Sequence, residues 1–453
     1  MTMIEAGQVT MIESLLVANR GEIARRIIRT AKRLGIRTIA VHSDVDADLP
    51  FVLEADEAVA IVPANPAQSY RNAEAILAAA KSTGAQAIHP GYGFLSENAD
   101  FARAVEAHGL IWVGPPADAI AAMGDKINAR NLMAEAGVPV APGTHDPAAT
   151  VEAAIEAAAG IGYPVMVKAA AGGGGMGMAV AAEEAGLRTE YDKVRAFAER
   201  MFGDGSVLIE RYFPRVRHVE VQILGLADGR VIALSERECS VQRRNQKLVE
   251  EAPSPAVDAD LRKRLLAAAV KAGEAVGYRN AGTVECLLDP ATGEFFFLEM
   301  NTRLQVEHPI TELIHGLNLV EEQLRIASGL SPTFTTNPTS GHAIELRINA
   351  EDPKRFLPGP GKVATWVEPT GEGVRVDSGY TAGNTVTPSY DSLMAKLIVV
   401  GADRADAIAK ARAAVAGFEI VGPKNNLPFF AELLANEEFL AGDYDTGIVS
   451  RMR

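Results

Sequence analysis

The chain has 453 residues, a formal net charge of −14, 48% apolar residues and 23% charged ones. That length holds two or three domains and a large core, and the acidity argues against a broad nucleic-acid or anionic-membrane surface without excluding a local basic pocket for phosphates. Only two cysteines are present, Cys239 and Cys286, and their spacing fits a reducing cytoplasm better than a disulfide scaffold or a zinc site.

No apolar stretch is long enough to span a bilayer. The N-terminus carries Glu5 and Glu13 without a basic start, so it does not read as a secretory signal, and residues 1–11 read as a disordered tail. Leu15-Leu16-Val17-Ala18 then reads as a buried strand. Arg20-Gly21, a helical pattern through Leu34, Gly35 as a stop and a second strand from Thr38 to Val41 complete a βαβ unit. Further alternation gives a helix at 71–81, a strand at 85–88, a helix at 98–108 and a strand at 111–113. Residues 12–125 are therefore expected to form an open, Rossmann-like α/β domain, and a helix within 126–141 leads out of it. Its first βα turn has one glycine where a dinucleotide fingerprint needs three, so NAD binding is poorly supported.

From 142 to 212 the pattern changes to that of a small separate lobe: a helix at 150–159, strands at 163–168, 178–181 and 207–210, and a longer helix. The remainder, 213–453, is mixed, with strands near 219–224, 230–235, 283–288 and 295–303 and helices at 260–276 and 319–328. The expected fold class is thus α/β and α+β in several domains, without internal repeats.

Within the lobe runs Gly172-Gly173-Gly174-Gly175-Met176-Gly177, between two predicted strands. Consecutive glycines let backbone N–H groups close around phosphate oxygens. The run lacks the Lys-Ser/Thr ending of a P-loop, and most such runs are merely flexible turns. Lys168, at the end of the preceding strand, shifts the balance, because a lysine there reaches the same phosphates. Lys126 and Glu210 each read, alone, as an ordinary surface lysine and a lobe-junction carboxylate.

Glu299, Asn301, Arg303, Gln305 and Glu307 alternate with Met300, Thr302, Leu304 and Val306. In an extended strand they would share one face, offering groups for a metal, an anion and a proton at once. Glu285 lies in the preceding predicted strand, and one hairpin register sets it opposite Glu299. Two carboxylates so opposed repel unless divalent cations lie between them. Gln242-Arg243-Arg244-Asn245-Gln246-Lys247 reads as a solvated loop or an oxyanion site. Arg347, amid apolar residues, is either paired or functional.

Long stretches then carry a resemblance: Ala18-Asn19-Arg20-Gly21-Glu22-Ile23-Ala24, His89-Pro90-Gly91-Tyr92-Gly93-Phe94-Leu95-Ser96-Glu97-Asn98, Arg217-His218-Val219-Glu220, Gln242 to Lys247, and Glu299 to Pro309. From about Ser14 to the C-terminus the chain resembles biotin carboxylase, an ATP-grasp enzyme. The resemblance implies an N-terminal α/β domain, an ATP-grasp lid and a C-terminal mixed domain. By position it implies that Lys126, Lys168, Gly173, Gly174, Gly175, Glu210 and His218 bind ATP together with Glu285 and Glu299. Glu285, Glu299 and Asn301 would hold Mg²⁺ or Mn²⁺. Arg303, Gln305, the Val306 backbone and Lys247 would hold bicarbonate, Glu307 would be the general base, and Arg347 would stabilise the biotin enolate.

The expected partners are a biotin carboxyl carrier protein and carboxyltransferase subunits, with biotin as carrier-bound substrate, in a cytoplasmic homodimer such as the biotin carboxylase of acetyl-CoA carboxylase. No Ala-Met-Lys-Met biotinylation signature occurs, so the carrier is expected on another chain. Met176 stands where the family usually has arginine, and it cannot donate to a phosphate. Val421-Gly422-Pro423-Lys424-Asn425-Asn426 departs from the common Asp-Gly-Ile-Lys-Thr-Asn. Two competing expectations are a urea-type or small-amide carboxylase and a non-catalytic nucleotide-binding regulatory subunit.

Overall fold

The computed structural model describes residues 10–170, 176–334 and 338–453. Most of the expected tail and the glycines Gly172–Gly175, Gly173, Gly174 and Gly175 among them, lie outside the described residues. The N-terminal segment builds a five-stranded parallel sheet in the order Glu57–Ala60, Arg37–His42, Ser14–Val17, Ala87–His89, Ile111–Trp112. Its central strands are short apolar runs covered on both faces, as parallel sheets require.

The lobe is a three-stranded antiparallel sheet, Met178–Ala181, Val165–Ala169, Val207–Arg211. Strand alternation sorts its side chains. Val165, Val167, Ala169, Ala181, Val207 and Ile209 pack with Leu187 and Tyr191 of helix Glu184–Phe202. Register pairs put Lys168, Met178 and Leu208 together on the other face, with Met166, Val180 and Glu210. Met178 and Val180 remain exposed there.

The largest sheet has eight strands, all antiparallel, in the order Glu294–Asn301, Asn280–Asp289, Arg217–Gly225, Val231–Arg243, Gln246–Ala252, His342–Asn349, Leu393–Gly401, Val374–Ser378. Strand Arg217–Gly225 is buried along its whole length. Val219, Val221 and Ile223 point into an apolar core with helix Ala259–Ala275 and helix Lys126–Glu135. His218, Glu220 and Gln222 alternate onto the opposite face, equally sealed. A buried polar face costs free energy unless every group finds a partner. That face is where the chemistry-bearing residues collect.

Two sequence expectations change here. The strand expected over 295–303 ends at Asn301. The Thr302 amide donates to Glu97 of the N-terminal segment at 3.1 Å, so the chain leaves the sheet. Arg303, Gln305 and Glu307 therefore sit on a loop, with Glu307 immediately before a short helix, His308–His315, that the sequence pattern did not announce. The basic cluster is likewise not a solvated loop. Gln242 pairs with Lys247 and Arg243 with Gln246 across a tight hairpin, whose turn residues Arg244 and Asn245 both have positive φ. Lys247 is thus a strand residue aimed into the protein. Among the described residues no helix is long and apolar enough to cross a membrane.

Candidate active site

Glu285 and Glu299 are register partners between adjacent antiparallel strands, and Glu285 is also opposite Glu220 on its other side. Three carboxylates thus stand in a row across the polar face. Glu285 is the best satisfied: its Oε1 accepts from Lys247 at 2.8 Å, Asn301 at 2.9 Å and Gln305 at 2.7 Å, and its Oε2 lies 2.8 Å from His218 Nε2. Burial alone would raise its pKa, but Lys247 and then His218 outweigh that and hold it well below the carboxylate range. Glu285 in turn overcomes the burial of His218 and raises the imidazole pKa.

Glu299 is exposed, and its contact with Asn301 is long at 3.5 Å. Among the described residues no cation pairs with it. The surrounding protein, then Glu285 and Glu97, push its pKa up. A carboxylate with no ion-pair contact among the described residues, beside a second carboxylate and an amide oxygen, is the oxygen-rich donor set that Mg²⁺ or Mn²⁺ takes. The residues present therefore fit the expected metal. Donor atoms of His218, Glu220 and Glu285 also cluster within 4.8 Å. There, however, the Lys247 ammonium already bridges Glu220 at 2.5 Å and Glu285 at 2.8 Å.

Lys247 has a third partner, Glu307 Oε1 at 2.7 Å. Glu307 Oε2 receives Arg347 Nη2 at 2.8 Å. Burial would raise the Glu307 pKa, yet Lys247, Arg347 and Arg237 hold it well below the usual value. Arg347 is fixed from behind by Glu250, with Nε at 2.7 Å and Nη2 at 2.6 Å. Burial pushes Glu250 up to about 7 against the pull of Arg347. Arg303 reaches Glu97 at 2.8 Å and the Asn301 side-chain oxygen at 2.8 Å.

So Glu285, Glu299, Asn301, Arg303, Gln305, Glu307, Lys247, His218 and Arg347 form one connected network, although three of them left the strand. Across from them Lys168 pairs with Glu210 at 2.8 Å, and Arg130 reaches Glu210 at 3.2 Å. Lys126 is half-buried; burial and then Lys168 lower its pKa, while Glu299 and Glu210 raise it. The lysines and the carboxylate row thus sense each other. Met176, within the lobe, is exposed.

Sequence reasoning passes over several residues. Arg237 is 0% exposed and spends its donors on Glu220 at 2.5 Å, Gln222 at 2.8 Å, Thr311 at 3.0 Å, Thr283 at 3.1 Å and Gln305 at 2.7 Å. Its signal is a lone arginine amid a strand-like stretch, which is expensive to bury without partners. Glu220, Glu250 and Glu97 are equally unassigned by sequence.

The same chain matches three family models. "Biotin carboxylase, N-terminal domain" covers residues 11–120, "Carbamoyl-phosphate synthase L chain, ATP binding domain" covers 125–333, and "Biotin carboxylase C-terminal domain" covers 345–451. Biotin carboxylase 2 of Bacillus subtilis is 49% identical over 97% of this chain and 100% of its own length. Biotin carboxylase of Haemophilus influenzae is 50% identical over 95% of this chain and 97% of its own. A solved dimer of the biotin carboxylase domain of 2-oxoglutarate carboxylase from Hydrogenobacter thermophilus, in complex with MgADP, ADP and bicarbonate, superposes with a TM-score of 0.93 at 43% identity, over 98% of both chains. Identity of this order across nearly the whole length, together with a carboxylate row facing a lysine-bearing lobe, makes the chain a member of the biotin carboxylase family.

Proposed function

We propose that the chain carboxylates biotin held on a separate carrier protein, using ATP and bicarbonate, as the first half-reaction of an acyl-CoA carboxylase such as acetyl-CoA carboxylase. The observation that carries this is Glu307 clamped between Lys247 and Arg347 beside the Glu285–Glu299 pair. One carboxylate, two cations and a metal-type donor set in one pocket match what bicarbonate activation demands.

Glu285, Glu299 and Asn301 would hold Mg²⁺, which neutralises charge on the phosphates during phosphoryl transfer. Lys126, Lys168 and His218 are assigned to the phosphates and ribose, and Glu210 to the adenine amino group. The apolar face of Met166, Met178, Val180 and Leu208 supplies a dry wall for the adenine ring, with residues 142–212 acting as a lid. Arg303, Gln305, the Val306 backbone and Lys247 bind bicarbonate.

Bicarbonate is a poor nucleophile until deprotonated, and Glu307 accepts its proton. Lys247 and Arg347 suppress the basicity of Glu307. An anion that takes up part of their charge restores it, so the base becomes effective only with substrate bound. The bicarbonate oxygen then attacks the γ-phosphorus and ADP leaves. The resulting carboxyphosphate separates into CO₂ and phosphate; phosphate takes the ureido proton of biotin, and the enolate attacks CO₂. Arg347 stabilises charge on the enolate oxygen in the manner of an oxyanion hole.

The acyl acceptor is set by carboxyltransferase subunits, and the proposal includes a cytoplasmic homodimer. Steady-state ADP release from the purified chain tests it. Bicarbonate dependence with stimulation by free biotin supports the proposal. A rate indifferent to biotin and to biotinylated carrier overturns it in favour of a small-amide carboxylase, and no turnover at all favours a regulatory subunit.

A further inference from the structure

Gln305-Val306-Glu307 forms a turn closed by a long bond from the His308 amide to the Gln305 carbonyl at 3.4 Å, and two of its peptide carbonyls are also gripped by side chains from the buried side. His308 Nδ1 lies 2.7 Å from the Gln305 carbonyl oxygen. Because a carbonyl only accepts, Nδ1 carries the ring proton and donates. Lys396 Nζ donates to the Val306 carbonyl at 2.9 Å. Both side chains are 0% exposed. Lys396 stands directly across the sheet from Arg347 and is anchored by Glu22 of the first βα turn at 3.1 Å, with Asp377 at 3.9 Å. His308 faces Lys396, Arg26 and Arg375, whose charges add to burial in keeping its ring neutral, and its Nε2 is 4.0 Å from Glu312.

A trans peptide is planar, with its C=O and N–H on opposite sides. Pinning the Gln305 carbonyl toward His308 turns the Val306 N–H the other way. Pinning the Val306 carbonyl toward Lys396 does the same for the Glu307 N–H. Among the described residues, neither N–H finds a backbone or side-chain acceptor. Two successive amides turned to one side make an anion-binding concavity. The Glu307 side chain, held by Lys247 and Arg347, belongs to the same residue and so is oriented by the same grip.

We infer that His308 and Lys396 are positioning residues that aim the Val306 and Glu307 amides at the bicarbonate and set the orientation of the base. The inference rests on the assignment of bicarbonate to this loop. It adds two residues that touch no substrate and that come from different parts of the chain, one from the loop's own helix and one from the C-terminal strand Leu393–Gly401.

The test compares His308→Leu, which removes the donor, with His308→Asn, whose amide nitrogen falls near the Nδ1 position, and adds Lys396→Met. A lost hydrogen bond to a pinned group is worth about tenfold in binding. His308→Leu and Lys396→Met are expected to raise the bicarbonate KM about tenfold or more while the ATP KM stays within about twofold. His308→Asn is expected to restore the bicarbonate KM. Equal bicarbonate KM in the Leu and Asn variants, or an ATP KM that rises in step, reduces both residues to structural roles and overturns the inference. Should Lys396→Met fail to fold, the His308 pair still decides. Absence of bicarbonate-dependent ATP hydrolysis in the unaltered chain overturns the inference and the functional proposal together, whereas a bicarbonate-dependent chain with an unmoved His308→Leu overturns the inference alone.

Discussion

Lys247 Nζ and Glu307 Oε1 lie 2.7 Å apart although their residues are 60 positions apart in the chain. The lysine comes from a hairpin in the middle of the large sheet and the glutamate from a loop at its edge. The same ammonium holds Glu220 and Glu285, so one cation ties the proposed base to the proposed metal ligands. Disturbing either end of this network has measurable consequences.

Replacing Glu307 by Gln keeps the shape but removes the proton acceptor and leaves Lys247 and Arg347 short of an anion. General-base contributions run to roughly a hundred- to ten-thousandfold. Bicarbonate-dependent ATP hydrolysis by Glu307→Gln is expected to fall at least about a hundredfold, as measured by coupled ADP release. Retention of near-normal turnover would remove Glu307 from the role of base.

Arg347 meets Glu250 and Glu307 with a planar fork that a lysine cannot reproduce. In Arg347→Lys, labelled carbon fixed on biotin is expected to fall roughly a hundred- to a thousandfold, the loss typical of one oxyanion donor. ATP KM is expected to stay near its original value, because Arg347 is not assigned to the nucleotide. A parallel loss of ATP binding would place Arg347 elsewhere in the chemistry.

Glu299 lacks a cationic partner among the described residues, and Glu285 lies opposite it. Metal binding relieves that repulsion. Loss of even an outer-shell partner costs roughly 10- to 100-fold in metal affinity, so Glu299→Gln is expected to raise half-saturating Mg²⁺ by about tenfold or more. Titration of activity with Mg²⁺ at saturating ATP measures it. Removing the metal with a chelator should abolish turnover in both proteins.

Glu251 reports on stability away from the site. It is buried, meets His342 at 2.6 Å and Arg404 at 2.7 and 3.0 Å, and also binds the Tyr444 hydroxyl. Burial opposes its charge, but His342 and Arg404 win and lower its pKa to about 2. A depressed carboxylate stabilises the fold above its unfolded pKa, and that contribution is lost as pH falls through the folded pKa. Glu251→Gln should therefore cost about 3 kcal/mol at neutral pH. The difference from the parent chain should shrink progressively between about pH 4.5 and pH 2. Denaturant titrations across that window check it; a gap that does not close would mean the cost comes from packing alone.

How much of this is legible from residues alone depends on whether a partner is local. The Glu285–Glu299 opposition is readable, because a hairpin of two short strands allows few registers and parity fixes the face. The strand's continuation to 303 is a false expectation because apolar alternation persists past Asn301 while the hydrogen-bond partner changes. The anchor, Glu97, lies 205 positions away and has no signature in the local pattern. Lys247 is hidden because its hairpin turns on Arg244-Asn245 without a glycine, so the cluster looks like a loop. Arg237 is invisible as a hub, since its partners Glu220, Thr283, Gln305 and Thr311 are scattered over separate elements. Four strands of the N-terminal parallel sheet, by contrast, rest on local strand–helix–strand periodicity and are readable to within a residue or two of their ends. The fifth, the edge strand Glu57–Ala60, is largely exposed, and the pattern reading passes over it although Ala58-Val59-Ala60-Ile61-Val62 is an apolar run.

The central claim, that this pocket activates bicarbonate by phosphoryl transfer, is tested most directly by the fate of a bicarbonate oxygen. Turnover with ¹⁸O-labelled bicarbonate and unlabelled ATP, followed by mass analysis of the released phosphate, should show one labelled oxygen per phosphate, because the attacking oxygen stays on phosphorus when CO₂ departs. Phosphate carrying only solvent and ATP oxygens would contradict the account and reduce the ATP chemistry of this chain to hydrolysis by water.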